Sequence, residues 1–117
     1  MIVEMLKSKI HRATVTQAEL HYEGSIGIDE DLIKASGLRV YEKVDVLNIA
    51  NGERFTTYVI KQPAGSGDII INGAAAHLAK PGDLVIILSY AAMTPEQADA
   101  HKPTIIKVDA TNRVKHG

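Results

Sequence analysis

Cysteine and tryptophan are both absent from the 117 residues. Without thiols, disulfides, iron–sulfur clusters and thiolate zinc sites are excluded. Aromatic residues are scarce, with four tyrosines and one phenylalanine, so the core must rest on Ile, Val, Leu and Ala. Neither sign of charge dominates. Thirteen Lys and Arg against fourteen Asp and Glu leave a formal net charge of −1. A duplex-binding domain would carry a basic excess, and a single-strand binder would need more stacking aromatics. No apolar run approaches the roughly 18 residues of a membrane helix. The opening residues, Met1-Ile2-Val3-Glu4-Met5-Leu6-Lys7, mix acid and base, unlike a signal peptide. The expected setting is the cytoplasm, with neither membrane nor nucleic acid as partner. The histidines (His11, His21, His77, His101 and His116) show no ligand spacing, so no metal is expected. Phosphate-binding glycine loops and the HExxH and GxSxG motifs are also missing.

What is present reads as one small β domain spanning residues 1–117. Hydrophobic residues make up 45% and charged residues 23%, the balance of a globular chain. The low net charge favours burying surface in an oligomer. Short apolar or alternating runs predict strands at Ile2–Leu6, Lys9–Val15, Val44–Ile49, Arg54–Ile60, Ile69–Ile71, Leu84–Tyr90 and Thr104–Val108. In the second of these, Lys9, His11, Ala13 and Val15 share one side. Asn51-Gly52 marks a hairpin. Leu84–Tyr90 is nearly all apolar and is expected to be buried on both faces. Asp29 is placed to cap a helix over Glu30–Ser36, with Gly37 at its left-handed end. A helical turn is expected through Ala74–Ala79, stopped by Pro81. Thr94-Pro95-Glu96-Gln97 has the form of a capping box. Gly65-Ser66-Gly67 reads as a flexible loop tip. Many short strands with turns between them suggest a small barrel or sandwich rather than βαβ units.

One stretch suggests chemistry. His21-Tyr22-Glu23-Gly24-Ser25-Ile26 reads, on its own, as an ordinary turn. The same atoms allow a second reading. A glycine carbonyl can be approached closely, and the serine hydroxyl after it can attack. The peptide then becomes an ester, and elimination followed by hydrolysis leaves a pyruvoyl group where the serine stood.

Further landmarks come in order along the chain. They are Lys9 with His11-Arg12, then His21 to Ser25, then Ile28-Asp29. Next come Asn51-Gly52-Glu53-Arg54-Phe55-Thr56-Thr57-Tyr58, Asn72-Gly73-Ala74-Ala75-Ala76-His77, and Gly82-Asp83-Leu84-Val85-Ile86-Ile87. From Met5 to about Pro103 this series resembles the bacterial pyruvoyl-dependent aspartate α-decarboxylases. The resemblance implies a mainly β chain: a small six-stranded double-ψ β-barrel with short helices. It implies a homotetramer with sites between subunits, and self-cleavage into residues 1–24 and 25–117. The cofactor would be a pyruvoyl group made from Ser25, and the substrate L-aspartate, bound through a Schiff base and converted to β-alanine and CO2 for pantothenate synthesis. A maturation factor enters as a partner because some relatives use one.

Carried over residue by residue, Ser25 is nucleophile and then cofactor, and Gly24 supplies the attacked carbonyl. Tyr58 matches the proton donor, since a phenol keeps its proton at neutral pH. Arg54 and Lys9 match carboxylate binders. Thr57 matches the residue that assists cleavage and lines the substrate site. In a regular strand it faces away from Tyr58, so a twist or a second subunit is needed for both to serve one reaction. Asn72, Gly73, Ala74 and Ala75 match the substrate-binding segment. His11 and Tyr22 stand near the site. Position 27 is glycine, which would loosen the strand after the cut. The tail beyond Thr104 carries no motif.

Without the resemblance, each of these residues has an ordinary role as strand, surface charge or helix start. A non-catalytic barrel serving as a binding or assembly module fits the composition equally well. A nucleic-acid-binding barrel and a metal hydrolase fit it less.

Overall fold

Ile- and Val-rich runs become strands because branched side chains pack well on a pleated, half-buried surface. In the computed structural model, which describes residues 1–116, there are eight strands. They are β1 (Val3–Thr14), β2 (Gln17–Glu19), β3 (Ser25–Asp29), β4 (Lys43–Asn48), β5 (Arg54–Gln62), β6 (Ile69–Asn72), β7 (Leu84–Met93) and β8 (Thr104–Lys107). Two short helices, α1 (Glu30–Ser36) and α2 (Pro95–Ala100), and a 3₁₀ turn at Gly73–His77 lie between them. Gly117, at the end of the tail, lies outside the described residues.

The strands form one sheet in the order β2-β6-β3-β5-β4-β7-β1-β8. β1 runs antiparallel to β7 and parallel to β8, while β2 runs parallel to β6. Val15 and Thr16 connect β1 to β2, and the Thr16 amide donates to the Ile69 carbonyl at 2.9 Å. The run from Val3 to Glu19 thus links the two ends of the strand order. The fold is mainly β and is consistent with the expected barrel; six strands lie between the short β2 and β8.

The two runs expected at Ile2–Leu6 and Lys9–Val15 are one strand, interrupted by irregularities. The pairing of β1 with β7 shifts between Ile10 and Ala13, where Arg12 takes φ +66°. Such a bulge reverses the facing of the residues beyond it. Ala13 and Val15 therefore join Ile10 in the core, each 1% exposed or less, rather than sharing a side with Lys9 and His11.

The core is aliphatic. Ile26, Ile28, Ile69, Ile71, Ile87 and Val59 are fully buried. Each such side chain contributes about 1.5–3 kcal/mol, so the shortage of aromatics costs the fold little. β7 departs from its expectation of burial on both faces. Ile86 is only half-buried and Tyr90 is 44% exposed. The hairpin between β4 and β5 is present, but Leu47 pairs with Arg54, so its loop is longer than Asn51-Gly52 alone.

Asp29 fastens the lower end of β3. Its side chain accepts from the Asp31 amide at 2.8 Å, capping α1, and α1 ends at Gly37 with φ +76°. The same carboxylate accepts from the Gly65 and Gly67 amides at 3.0 and 2.8 Å. The segment Gly65-Ser66-Gly67, expected to be a flexible tip, is instead anchored to a buried acid. The tail adds a second tie. Asn112 is buried, and its side chain donates to the Thr14 and Gly67 carbonyls, both at 2.8 Å.

Burial on its own would raise the Asp29 pKa. The amides of Gly67, Asp31 and Gly65, with the Arg113 charge, outweigh it and hold the carboxyl below its ordinary value. The stability that Asp29 carries is thus complete above the unfolded value of about 3.9 and fades as pH falls through the lower folded value. Asp29→Asn is expected to cost about 1–3 kcal/mol at neutral pH. Urea unfolding measured against pH should also show a flatter decline below pH ~4 than in the wild type. An unchanged acid limb would remove Asp29 from this role.

Candidate active site

Ser25 is the first residue of β3, directly after an exposed bend at Gly24. It is 2% exposed. Its partner across β6 is Asn72, whose Nδ2 donates to Ser25 Oγ at 3.0 Å. The hydroxyl donates in turn to the Glu23 carbonyl at 3.2 Å. A serine oxygen has two lone pairs. One is taken by Asn72, and the other remains available beside the Gly24–Ser25 peptide. On sequence grounds Asn72 is expected to contact substrate only. Its grip on Ser25 depends on the register of β3 against β6, which no local signal reveals.

β3 also pairs in parallel with β5, Ile26 opposite Val59. Carried back one residue, this register sets Ser25 level with Tyr58, and Thr57 comes one step earlier beside the bend. Asn72, Ser25 and Tyr58 therefore form a row across three neighbouring strands. Along β5, Arg54, Thr56 and Tyr58 are exposed, while Phe55 and Thr57 are half-buried. The alternation shows that Thr57 and Tyr58 face opposite ways.

Tyr58 is 37% exposed, and its ring meets Tyr41 at a centroid distance of 6.4 Å, tilted by 44°. Tyr41 takes φ +73°, a conformation unfavourable for a bulky residue. It is held there by its amide, which donates to the Val59 carbonyl at 2.7 Å. Lys7 fastens the same loop by donating to the Gly37 carbonyl at 2.8 Å and pairing with Glu42 at 3.1 Å. Tyr41 has no signature in the sequence.

The 3₁₀ turn after β6 brings Gly73 against the bend. Gly73 is buried with φ +78°, whereas Ala74 is exposed and Ala75 half-buried. Tyr22 is 61% exposed and lines a groove of about 320 Å³ together with Asn72, Gln17, Glu19, Ile60, Gln62 and Ile70. Gln62 lies over Gly27, so an added Cβ at position 27 would meet its side chain at 2.9 Å. Gly27 is buried and paired on both flanks.

Three expected residues stand apart. Arg54 is four positions from Tyr58, roughly 13 Å along the strand. It lines a different groove, of about 610 Å³, with Lys43, Asp45, Thr56, Glu4 and Tyr90. Lys9 and His11 lie on β1, with β5, β4 and β7 between them and β3 in the strand order. Burial first, then the charges of Lys9, Arg12 and Lys107, push the His11 pKa down, favouring neutral imidazole. Its Nδ1 is buried and has no hydrogen-bond partner among the described residues. In one copy Asn72 and Gly73 touch Ser25 and Gly24, Tyr58 lies on the strand beside β3, and Lys9, His11 and Arg54 lie elsewhere in the strand order. Among the described residues, no helix is long and apolar enough to cross a membrane.

Comparison with known proteins places the chain in a family. A family model described as aspartate decarboxylase matches residues 1–115. An aspartate 1-decarboxylase of Syntrophus aciditrophicus is 60% identical over 112 residues, covering 96% of this chain and 97% of that protein. One from Bordetella pertussis is 58% identical over 111 residues, covering 95% and 91%. A third, from Caldicellulosiruptor bescii, is 58% identical over 114 residues, covering 97% and 89%. With a family model spanning nearly its whole length and relatives above half identity, the chain belongs to the aspartate decarboxylase family.

Proposed function

We propose that this chain is a self-processing, pyruvoyl-dependent decarboxylase that converts L-aspartate to β-alanine and CO2 for pantothenate synthesis. The observation that carries the reading is the Ser25 hydroxyl. It is buried, held by Asn72 and the Glu23 carbonyl, and stands at the one Gly–Ser peptide that follows an exposed bend into a rigid strand.

Processing needs no outside oxidant or reductant. Ser25 Oγ bonds to the Gly24 carbonyl carbon, the C–N bond breaks, and the hydroxyl proton ends on the Ser25 amine. Elimination across Cα–Cβ of residue 25 then releases the Gly24 carboxylate. Water replaces the nitrogen, which leaves as ammonia. The residues present suit this outcome, since the new group would form at the buried position of Ser25, beside Asn72 and level with Tyr58 on the neighbouring strand. When formed, it supplies a ketone for a Schiff base with the aspartate amine and an electron sink as CO2 departs.

The chain's own residues do the rest. Thr57, beside the bend, offers a hydroxyl to the oxyanion that forms on Gly24 during cleavage. Tyr58, level with Ser25, returns a proton to the carbon that loses CO2. Asn72, Gly73, Ala74 and Ala75 border the pocket where substrate binds. Arg54 and Lys9 are cations suited to the two carboxylates of aspartate. Only one carboxylate needs a firm grip, because equal binding of ground and transition states does not raise kcat.

A homotetramer with sites between subunits accounts for the separation of these groups. Arg54 stands four residues from Tyr58 on β5, and Lys9 is on β1, which is not a neighbour of β3; a second copy is the source from which they would reach Ser25. The partly open outer face of β7, with Tyr90 and Ile86, is the kind of surface such a neighbour covers. A separate maturation factor would act on the exposed bend at Gly24.

Two variants test the assignments. Ser25→Ala is expected to give one intact mass and no β-alanine, whereas the wild type gives residues 1–24 and 25–117, the larger reacting with a carbonyl reagent. Cleavage of Ser25→Ala at the same peptide would overturn the nucleophile. Tyr58→Phe is expected to process normally but lose turnover by about 10²-fold or more, the worth of a positioned proton donor. Unchanged turnover per pyruvoyl group would exclude Tyr58 as the donor.

A further inference from the structure

We propose that Gly73 is a positioning residue for chain cleavage, acting by backbone contact on Gly24 to set the attacked carbonyl against Ser25. The proposal rests on the self-processing reading and assigns Gly73 a task separate from substrate binding.

The contact is tight and involves only backbone atoms. A Cβ at position 73 would stand 2.7 Å from Gly24 Cα, 2.9 Å from Gly24 N and 3.2 Å from the Tyr22 carbonyl oxygen. None of these is the tip of a flexible side chain that could swing aside. The tight side of the contact belongs to residue 73, because a Cβ at Gly24 would meet nothing within 4 Å. Glycine is thus required at 73 for two reasons, its φ of +78° and the absence of room.

The preceding residue gives this contact its meaning. Asn72 pairs with Ser25 across the sheet and holds Ser25 Oγ at 3.0 Å. Consecutive residues therefore touch both reacting partners. Asn72 holds the nucleophilic oxygen, and Gly73 backs the residue that carries the carbonyl. One short segment, the end of β6 passing into the 3₁₀ turn, fixes the separation between them.

Magnitude favours an effect on rate. Relieving a 2.7 Å contact to an ordinary 3.4 Å moves Gly24 by about 0.7 Å. A misplacement of about 1 Å between reacting groups costs about 10²-fold. A side chain at 73 is thus expected to slow formation of the Ser25 Oγ–Gly24 ester by at least about tenfold.

The test compares freshly prepared chains by intact mass over time, with and without brief neutral hydroxylamine, which cleaves an ester after Gly24; the fragment masses separate this cut from scission at Asn51-Gly52 or Asn72-Gly73, the peptide bonds that the reagent also attacks. Gly73→Ala combines backbone strain with the clash. Gly73→Asn keeps the left-handed conformation at lower cost but still carries a Cβ. Gly67→Ala is the control. Gly67 has φ +72°, and its Cβ would meet the Thr111 carbonyl oxygen at 2.8 Å, a similar strain and clash away from Ser25. Both Gly73 variants are expected to cleave at least about tenfold more slowly than the wild type and to accumulate no hydroxylamine-sensitive ester. Gly67→Ala should lose melting temperature yet cleave at the wild-type rate. A Gly73 variant cleaving within twofold of wild type, an ester accumulating in it, or equal slowing in Gly67→Ala overturns the proposal. A wild-type chain that never cleaves overturns the self-processing reading, and this proposal with it.

Discussion

Strand β3 is hydrogen-bonded along both flanks, parallel to β5 and antiparallel to β6, and all five of its residues are buried. The site depends on this constraint. A strand paired on both edges and buried on both faces holds Ser25 in place, while Gly24, one residue away, lies in an exposed bend. The buried carboxylate of Asp29 secures the far end of the strand through three backbone amides. Both sides of the Gly24–Ser25 peptide are thus placed, Ser25 by the strand and by Asn72, and Gly24 by the backbone of Gly73 packed against its open bend.

Local chemistry made some parts of the molecule legible. The cap at Asp29, the left-handed Gly37, the capping box at Thr94 and the alternation of Val44, Val46 and Asn48 each depend on neighbours within a few residues, and each is present as expected. The features that escaped are set by distant partners. The bulge at Arg12 is a mismatch between β1 and β7. The anchoring of Gly65 and Gly67 comes from an acid more than thirty residues away. Ser-Ile-Gly-Ile-Asp carries too little β-branched character to announce a strand, and it becomes one because β5 and β6 leave a place for it.

The candidate site divides in the same way. The order of landmarks from Lys9 to Ile87 pointed to Ser25, Tyr58 and Asn72-Gly73, and the fold gathers these four. Neither the hold of Asn72 on the Ser25 hydroxyl nor the packing of Tyr41 on Tyr58 could be read, because both depend on sheet register and loop docking. The opposed facing of Thr57 and Tyr58 was readable from the two-residue period of a strand, and the burial pattern of β5 bears it out.

The path of the first nineteen residues has a further consequence. β1 and β2 both precede Gly24, and they and their connection contribute Ile10, Ala13 and Val15 to the core while pairing with β7, β8 and β6. A cut after Gly24 therefore does not free a peptide. It would convert the N-terminal segment into a separate chain that serves as wall and core of the same body, a natural case of fragment complementation. Folding of the cut protein then becomes an association of two chains. Its stability acquires a dependence on concentration that the uncut chain lacks, and unfolding past the point of dissociation discards the tether that first brought the pieces together.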